Sequence, residues 1–90
     1  MNRTIITVVG KDSIGIIGKV CTYLSDNQIN VMDISQTIVQ EFFNMMMIVD
    51  ISKSQVDFDK MISDLDELGK ELGVKIKAQK EEIFNIMHRI

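Results

Sequence analysis

The sequence contains no proline and no tryptophan, and it has a single cysteine and a single histidine. Cys21 alone cannot close an internal disulfide. It lies in a helical stripe, where a thiol packs as a small apolar side chain. No cysteine pair, histidine pair or Glu-x-x-His stands at the spacing of a zinc site. The one histidine, His88, falls in the last turn of a C-terminal helical segment, where a cation is favourable for structural reasons alone. No apolar run approaches the ~18 residues that a membrane span requires. The opening Met1-Asn2-Arg3-Thr4 lacks the pattern of a signal peptide. These absences point to a cytoplasmic protein.

Aromatics are sparse, one tyrosine and four phenylalanines, and the formal net charge is −3. A protein built around nucleic acid would carry a basic stripe or stacking aromatics. The nearest approach to a stripe, Lys75, Lys77 and Lys80, reads as the solvated face of a strand. Neither a nucleic acid nor a membrane is expected as partner. Within 90 residues, 46% of them apolar, there is material for one domain with one core.

The elements alternate in type along the chain. Ile5 to Val9 reads as a first strand. A helix is predicted from about Ile14 to Asp26, because Ile17, Val20, Cys21 and Leu24 fall at i, i+3, i+4 and i+7. Asp12 or Ser13 can cap it and Asn27 can stop it in a left-handed turn. Ile29 to Val39 reads as a second strand whose alternation changes phase, so a bulge is expected near Met32–Asp33. A tight hairpin at Gln40-Glu41 leads to a third strand, Phe42 to Ile51. Its turn lacks the Asn-Gly or Asp-Gly of a type I′ turn, which leaves a longer or bulged loop open.

Ser54 is the expected cap of a second helix, with Asp57 in the place of the capping-box acid. Phe58, Met61, Ile62, Leu65, Leu68 and Leu72 form its apolar stripe, and Gly73 ends it. Asp59, Asp64, Glu67, Lys70 and Glu71 form its wet face. Val74 to Ala78 is the fourth strand. Glu81 to Ile90 then reads as a helix, with Ile83, Phe84, Met87 and Ile90 on one side. The order β-α-β-β-α-β implies an α+β fold, the ferredoxin-like βαββαβ sandwich. It has a four-stranded antiparallel sheet, both helices on one face, and here an extra C-terminal helix. Right-handed crossovers place strands one and three at the centre.

Strand three is apolar on both sides: Phe43, Met45, Met47, Val49 and Ile51 against Phe42, Met46 and Ile48. Strand one is apolar on both sides as well. An apolar second face marks an interface. The expectation is a homodimer or higher homo-oligomer, with the terminal helix closing part of the open face of its own or a neighbouring sheet. The adjacent methionines Met45, Met46 and Met47 alternate in direction, so packing rather than soft-metal binding accounts for them.

Chemistry concentrates at Val8-Val9-Gly10-Lys11-Asp12-Ser13-Ile14-Gly15-Ile16, where a strand runs through a glycine-flanked loop into a helix. Free N–H groups at such a helix start suit an anion. Gly10 and Gly15 have the spacing of the P-loop glycines, but Ile16 and Ile17 stand where its lysine and hydroxyl are needed. Nucleotide hydrolysis is thereby excluded. Gly10, Gly15 and Gly18 do not make a dinucleotide fingerprint either. The second polar cluster is Asn30-Val31-Met32-Asp33-Ile34-Ser35, where an aspartate is unusual for a strand. Asp33 could cap a bulge, or it could receive an ammonium group while the helix start receives a carboxylate.

Gly10-x-Asp12-x-x-Gly15-Ile16, Asn30-x-x-Asp33-Ile34 and the βαββαβ order resemble an ACT domain over about residues 3–80. Ile5 to Asp12, Asp33-Ile34-Ser35-Gln36-Thr37 and the C-terminal segment resemble more closely the small stand-alone UPF0237 proteins. The resemblance implies one ACT domain over 1–90, with its core at 3–80 and a helix at 81–90. It implies a regulatory, non-enzymatic protein without cofactor or metal. Its ligand would be an amino acid or similar metabolite bound at a subunit interface, and its output would pass through protein partners. By this resemblance the ligand contacts are Asp12, Ser13, Ile14, Gly15, Ile16, Asn30, Met32 and Asp33. The competing reading is a structural or adaptor protein whose sheet and loop bind only protein. A small acyl-phosphatase, which shares the topology, needs an arginine in the phosphate loop, where Lys11 is the only cation.

Overall fold

The computed structural model describes residues 3–11 and 15–82. Its elements are β1 (Arg3–Lys11), α1 (Ile16–Asp26), β2 (Asn30–Val39), β3 (Phe42–Asp50), α2 (Phe58–Leu72) and β4 (Val74–Lys80). The sheet is antiparallel throughout, in the order β2-β3-β1-β4, so strands one and three are central as expected. The helix expected over 81–90 lies, apart from Glu81 and Glu82, outside the described residues.

Strand periodicity decides which side is core. Thr4, Ile6 and Val8 of β1 lie opposite Val49, Met47 and Met45 of β3. All six are fully buried. The same face receives Ile16, Val20 and Leu24 from α1 and Met61 and Leu65 from α2. Each of the apolar side chains among them stabilises the fold by about 1.5–3 kcal/mol. On the opposite face Ile5 is buried, whereas Val9, Met46 and Phe42 are exposed. Ile62, placed by its spacing in the buried stripe of α2, is exposed. Cys21 is half-buried and packs against the core.

The bulge falls where the phase of the sequence changes. Val31 pairs with Val49 and Asp33 with Ile48, which leaves Met32 as the extra residue. That insertion brings Val31, Ile34 and Ile38 onto the same face. The hairpin is a two-residue turn, since Val39 still pairs with Phe42. Gln40 takes a φ of 58° there. All ten residues of β2 are exposed, because α2 lies chiefly over β4 at the far edge.

Two helix ends differ from expectation. The left-handed residue after α1 is Gln28, φ 60°, and not Asn27, φ −104°. The N–H of Gln28 donates to Ser25 O at 3.1 Å and that of Ile29 to Leu24 O at 2.9 Å. This is the paired bonding of a Schellman motif, with buried Leu24 and Ile29 as its apolar contact. The motif places the left-handed residue one position past the cap, so Asn27 is spared. At α2 the cap is Asp57, whose Oδ1 accepts from the N–H of Lys60 at 2.7 Å. Ser54 instead closes a local turn with Val56. Gly73 ends α2 in the left-handed region as expected.

A left-handed conformation costs a side-chain-bearing residue about 1–2 kcal/mol, and glycine avoids most of that. Gln28→Gly is therefore expected to stabilise the protein by about 0.5–1 kcal/mol after glycine's extra chain entropy. Urea denaturation checks this: the midpoint should rise with the slope unchanged. Gln28→Val should lower it.

Candidate ligand-binding site

The N-terminal half of the site is built by β1 and α1. Gly10 lies opposite Val74 of β4, and a Cβ added there would come within 2.7 Å of Val74 Cγ1. Its bare backbone therefore serves the close approach of β4. Gly15 is the N-cap of α1, with φ 89° and ψ 0°, a conformation that favours glycine. Space beyond it is open, since an added Cβ would meet nothing within 4 Å. The first bond of α1 runs from Lys19 N–H to Gly15 O, at 2.9 Å. The N–H groups of Ile16, Ile17 and Gly18 thus have no acceptor within the helix. Gly15 offers no side chain to them, and no acid occupies the first turn. Such an end attracts an anion.

Asp12, Ser13 and Ile14 lie outside the described residues. Ile16 is only 2% exposed and belongs to the core. Its side chain is therefore not a ligand contact, and only its main chain can contribute.

The second half is the start of β2. Asn30, Met32 and Asp33 are all exposed. Met32 is the bulge residue, and Asp33 Oδ1 accepts from the N–H of Ile34 at 2.9 Å. Asp33 thus supports the bulge locally and also presents a carboxylate on the outer side of the sheet, in line with Ile48.

The two halves are far apart within one chain. Gly10 pairs with Phe43, whereas Asn30 pairs with Asp50. Those positions lie at opposite ends of β3, about 23 Å apart at ~3.3 Å per residue. β1 and β2 both run antiparallel to β3, hence parallel to each other, so the end of one and the start of the other cannot meet.

A polar tie between the helices, invisible in the sequence, holds α1 in place. Tyr23 Oη donates to Asp64 Oδ2 at 2.6 Å, and Lys60 Nζ donates to Asp64 Oδ1 at 2.8 Å. The partners are 41 residues apart, and no local pattern announces them. The bond from Lys60, aided by that from Tyr23, holds the Asp64 carboxyl below the usual carboxylate range. Burial, with the bond to Asp64, pushes the Tyr23 phenol well above its ordinary value.

The sequence profile of the ACT domain family matches residues 2–79. The chain belongs to the ACT domain family, a family of regulatory small-molecule-binding domains. Among curated relatives, a UPF0237 protein of Bifidobacterium longum is 58% identical over 90 residues, with 100% of both chains covered. The solved structure of an ACT domain protein from Streptococcus pneumoniae is 40% identical. It superposes with a TM-score of 0.81 over 92% of this chain and 93% of that one. A formyltetrahydrofolate deformylase from Pseudomonas syringae, 16% identical, gives a TM-score of 0.82 over 89% of this chain but 28% of its own. That is a likeness of fold alone.

The interhelical tie sets a pH dependence. The raised phenol contributes stability that is complete below pH ~10 and is lost above it; the lowered carboxyl contributes stability present above pH ~4 and lost below it. Tyr23 is the sole tyrosine, so absorbance at 295 nm reports it alone. Its ionisation is expected above pH ~10, together with a falling Tm. Tyr23→Phe should lower the Tm at neutral pH and flatten that alkaline fall.

Proposed function

We propose that this protein is a regulatory subunit that binds an amino acid or similar small metabolite between two copies of itself and acts through protein partners. The observation that carries this reading is the separation of Gly15 from Asn30–Asp33 at opposite ends of the sheet. A second copy can join them. β2 is an edge strand with an unpaired side. Two copies meeting antiparallel along β2 bring the start of one strand alongside the end of the other, toward the Gly15 end. The main-chain N–H groups of α1 would receive the ligand carboxylate, and Asp33 from the other copy would receive its ammonium. The apolar groups along this edge, Val31, Met32, Ile34, Ile38 and Val39, are all exposed in the single chain. Exposed apolar patches of this kind mark interfaces. The reading assigns no catalysis to the chain.

The same apolar edge supports a second reading, an adaptor that binds only protein. Calorimetry with the common amino acids separates the two. Binding that is weakened about tenfold by Asp33→Asn supports the sensor, because the amide keeps the local bond to Ile34 but loses the charge that pairs with an ammonium. Gly15→Val, which forces a β-branched residue into a left-handed position, should weaken it further. If both variants bind like wild type, the site is elsewhere. Absence of heat and of any Tm shift with every amino acid favours the adaptor. Sedimentation velocity at micromolar concentration should show a dimer, and Ile34→Glu should convert it to a monomer. A wild-type monomer at that concentration sinks the shared-site reading.

A further inference from the structure

We propose that the end of the sheet remote from Gly15 holds a second, independent binding site, for a small uncharged molecule with an apolar ring and a hydrogen-bonding amide or ring nitrogen. The starting observation is Thr4. Its side chain stands in line with Ile6 and Val8 on the helix-facing side, at the point where the core ends. It is fully buried, and its hydroxyl has no hydrogen-bond partner among the described residues. Folded proteins seldom leave a buried polar atom in that condition.

A cleft of about 540 Å³ opens beside it, where the start of β1 and the end of β4 face the entry to α2. That volume is in the range of small-molecule sites, ~300–1,000 Å³. Ile51, Val56 and Phe58 give the cleft an apolar wall, and each is half-buried. Thr4 is six residues from Gly10 along β1, about 20 Å at ~3.3 Å per residue, so this cleft is remote from the Gly15 half of the first site. It lies at the same end of the sheet as Asn30, since Arg3 and Asn30 both pair with Asp50, but shares no residue with that half.

Charge selects the ligand. Most of the charged groups at the rim are already engaged. Arg3 Nε holds Glu81 Oε2 at 3.0 Å. Asp57 Oδ1 accepts from the N–H of Lys60. Lys80 Nζ lies 5.4 Å from the centroid of the Phe58 ring, a cation–π distance. Exposed Glu82 is left to water. Two cations face three carboxylates across the cleft, so no surplus positive charge awaits a carboxylate or phosphate. The site offers apolar surface at Ile51 and Val56, and a neutral hydrogen-bonding group seated there needs a small shift of the floor to reach the Thr4 hydroxyl, which is closed to solvent in the unliganded chain. An aromatic amide or a nucleobase-sized heterocycle supplies both an apolar ring and such a group.

Benzamide, with benzoate and benzylamine as charged isosteres, tests this on the full chain. In two-dimensional amide NMR spectra, millimolar benzamide is expected to shift the signals of Thr4, Ile51, Phe58 and Lys80 while leaving Gly15 unmoved. Benzoate, which meets the surplus carboxylate at the rim, should bind about tenfold more weakly, and benzylamine, whose ammonium offers no acceptor to the Thr4 hydroxyl, should also bind more weakly despite that carboxylate. Thr4→Val keeps the shape but removes the hydroxyl. It should weaken benzamide about tenfold while raising the Tm of the unliganded protein. Thr4→Ser should retain the binding. The proposal is overturned if benzamide moves no cleft signal, if benzoate binds as well as benzamide, or if Thr4→Val binds it like wild type. The probe series on the unmodified chain decides the matter even if a variant fails to fold.

Discussion

The register between β1 and β3 governs everything else in this molecule. It stacks Thr4, Ile6 and Val8 against Val49, Met47 and Met45 on one face, and both helices close over that face. Because strand side chains alternate, a slip of one residue would send this entire set outward. It would put Ile5, Thr7 and Ile48 in their place, and the apolar stripes of α1 and α2 would lose their complement. At about 1.5–3 kcal/mol for each buried side chain, such a slip would exceed the whole stability of a domain this size. The register is fixed for that reason, and with it the direction in which every strand presents its ends.

From that register follows the division of the candidate site. β1 and β2 flank β3 and both run against it, so the helix start after β1 and the polar opening of β2 lie at opposite ends. In such a sheet a ligand that needs both can be held only where two copies meet. The exposure of β2 fits this account: the strand lies beyond the cover of the helices, with both its unpaired side and its apolar groups available. The bulge at Met32 adds to it by bringing Val31, Ile34 and Ile38 into phase while turning Asp33 to the other side.

The helices are set by local devices that cost little and fix much. Gly15 opens α1 in a left-handed conformation, and the N–H groups of the first turn have no acceptor within the helix. The Schellman turn at Gln28 delivers Ile29 back into the core beside Leu24. The bond between Tyr23 and Asp64, with Lys60 behind it, joins α1 to α2 across their outer surface. Gly15 fixes the start of α1, whereas the Schellman turn and the Tyr23–Asp64 bond fix its end and its later turns.

The sequence alone determined the six described elements, their order and most of the buried face, Ile62 excepted, because hydrophobic periodicity and end signals are local. The phase change at Met32–Asp33 disclosed the bulge, and Gly73 disclosed the end of α2. The same local reading misplaced the cap of α2 at Ser54 and the left-handed stop at Asn27, where neighbouring residues of similar chemistry compete and only backbone geometry chooses between them. It did not disclose that packing turns the Ile16 side chain into the core, which leaves only its main chain to face a ligand. Contacts between distant residues were beyond it: the Tyr23–Asp64 bond, the unpartnered hydroxyl of Thr4, and the distance between Gly15 and Asp33. Those depend on how strands pair and which way they run, and that information enters only when the chain closes on itself.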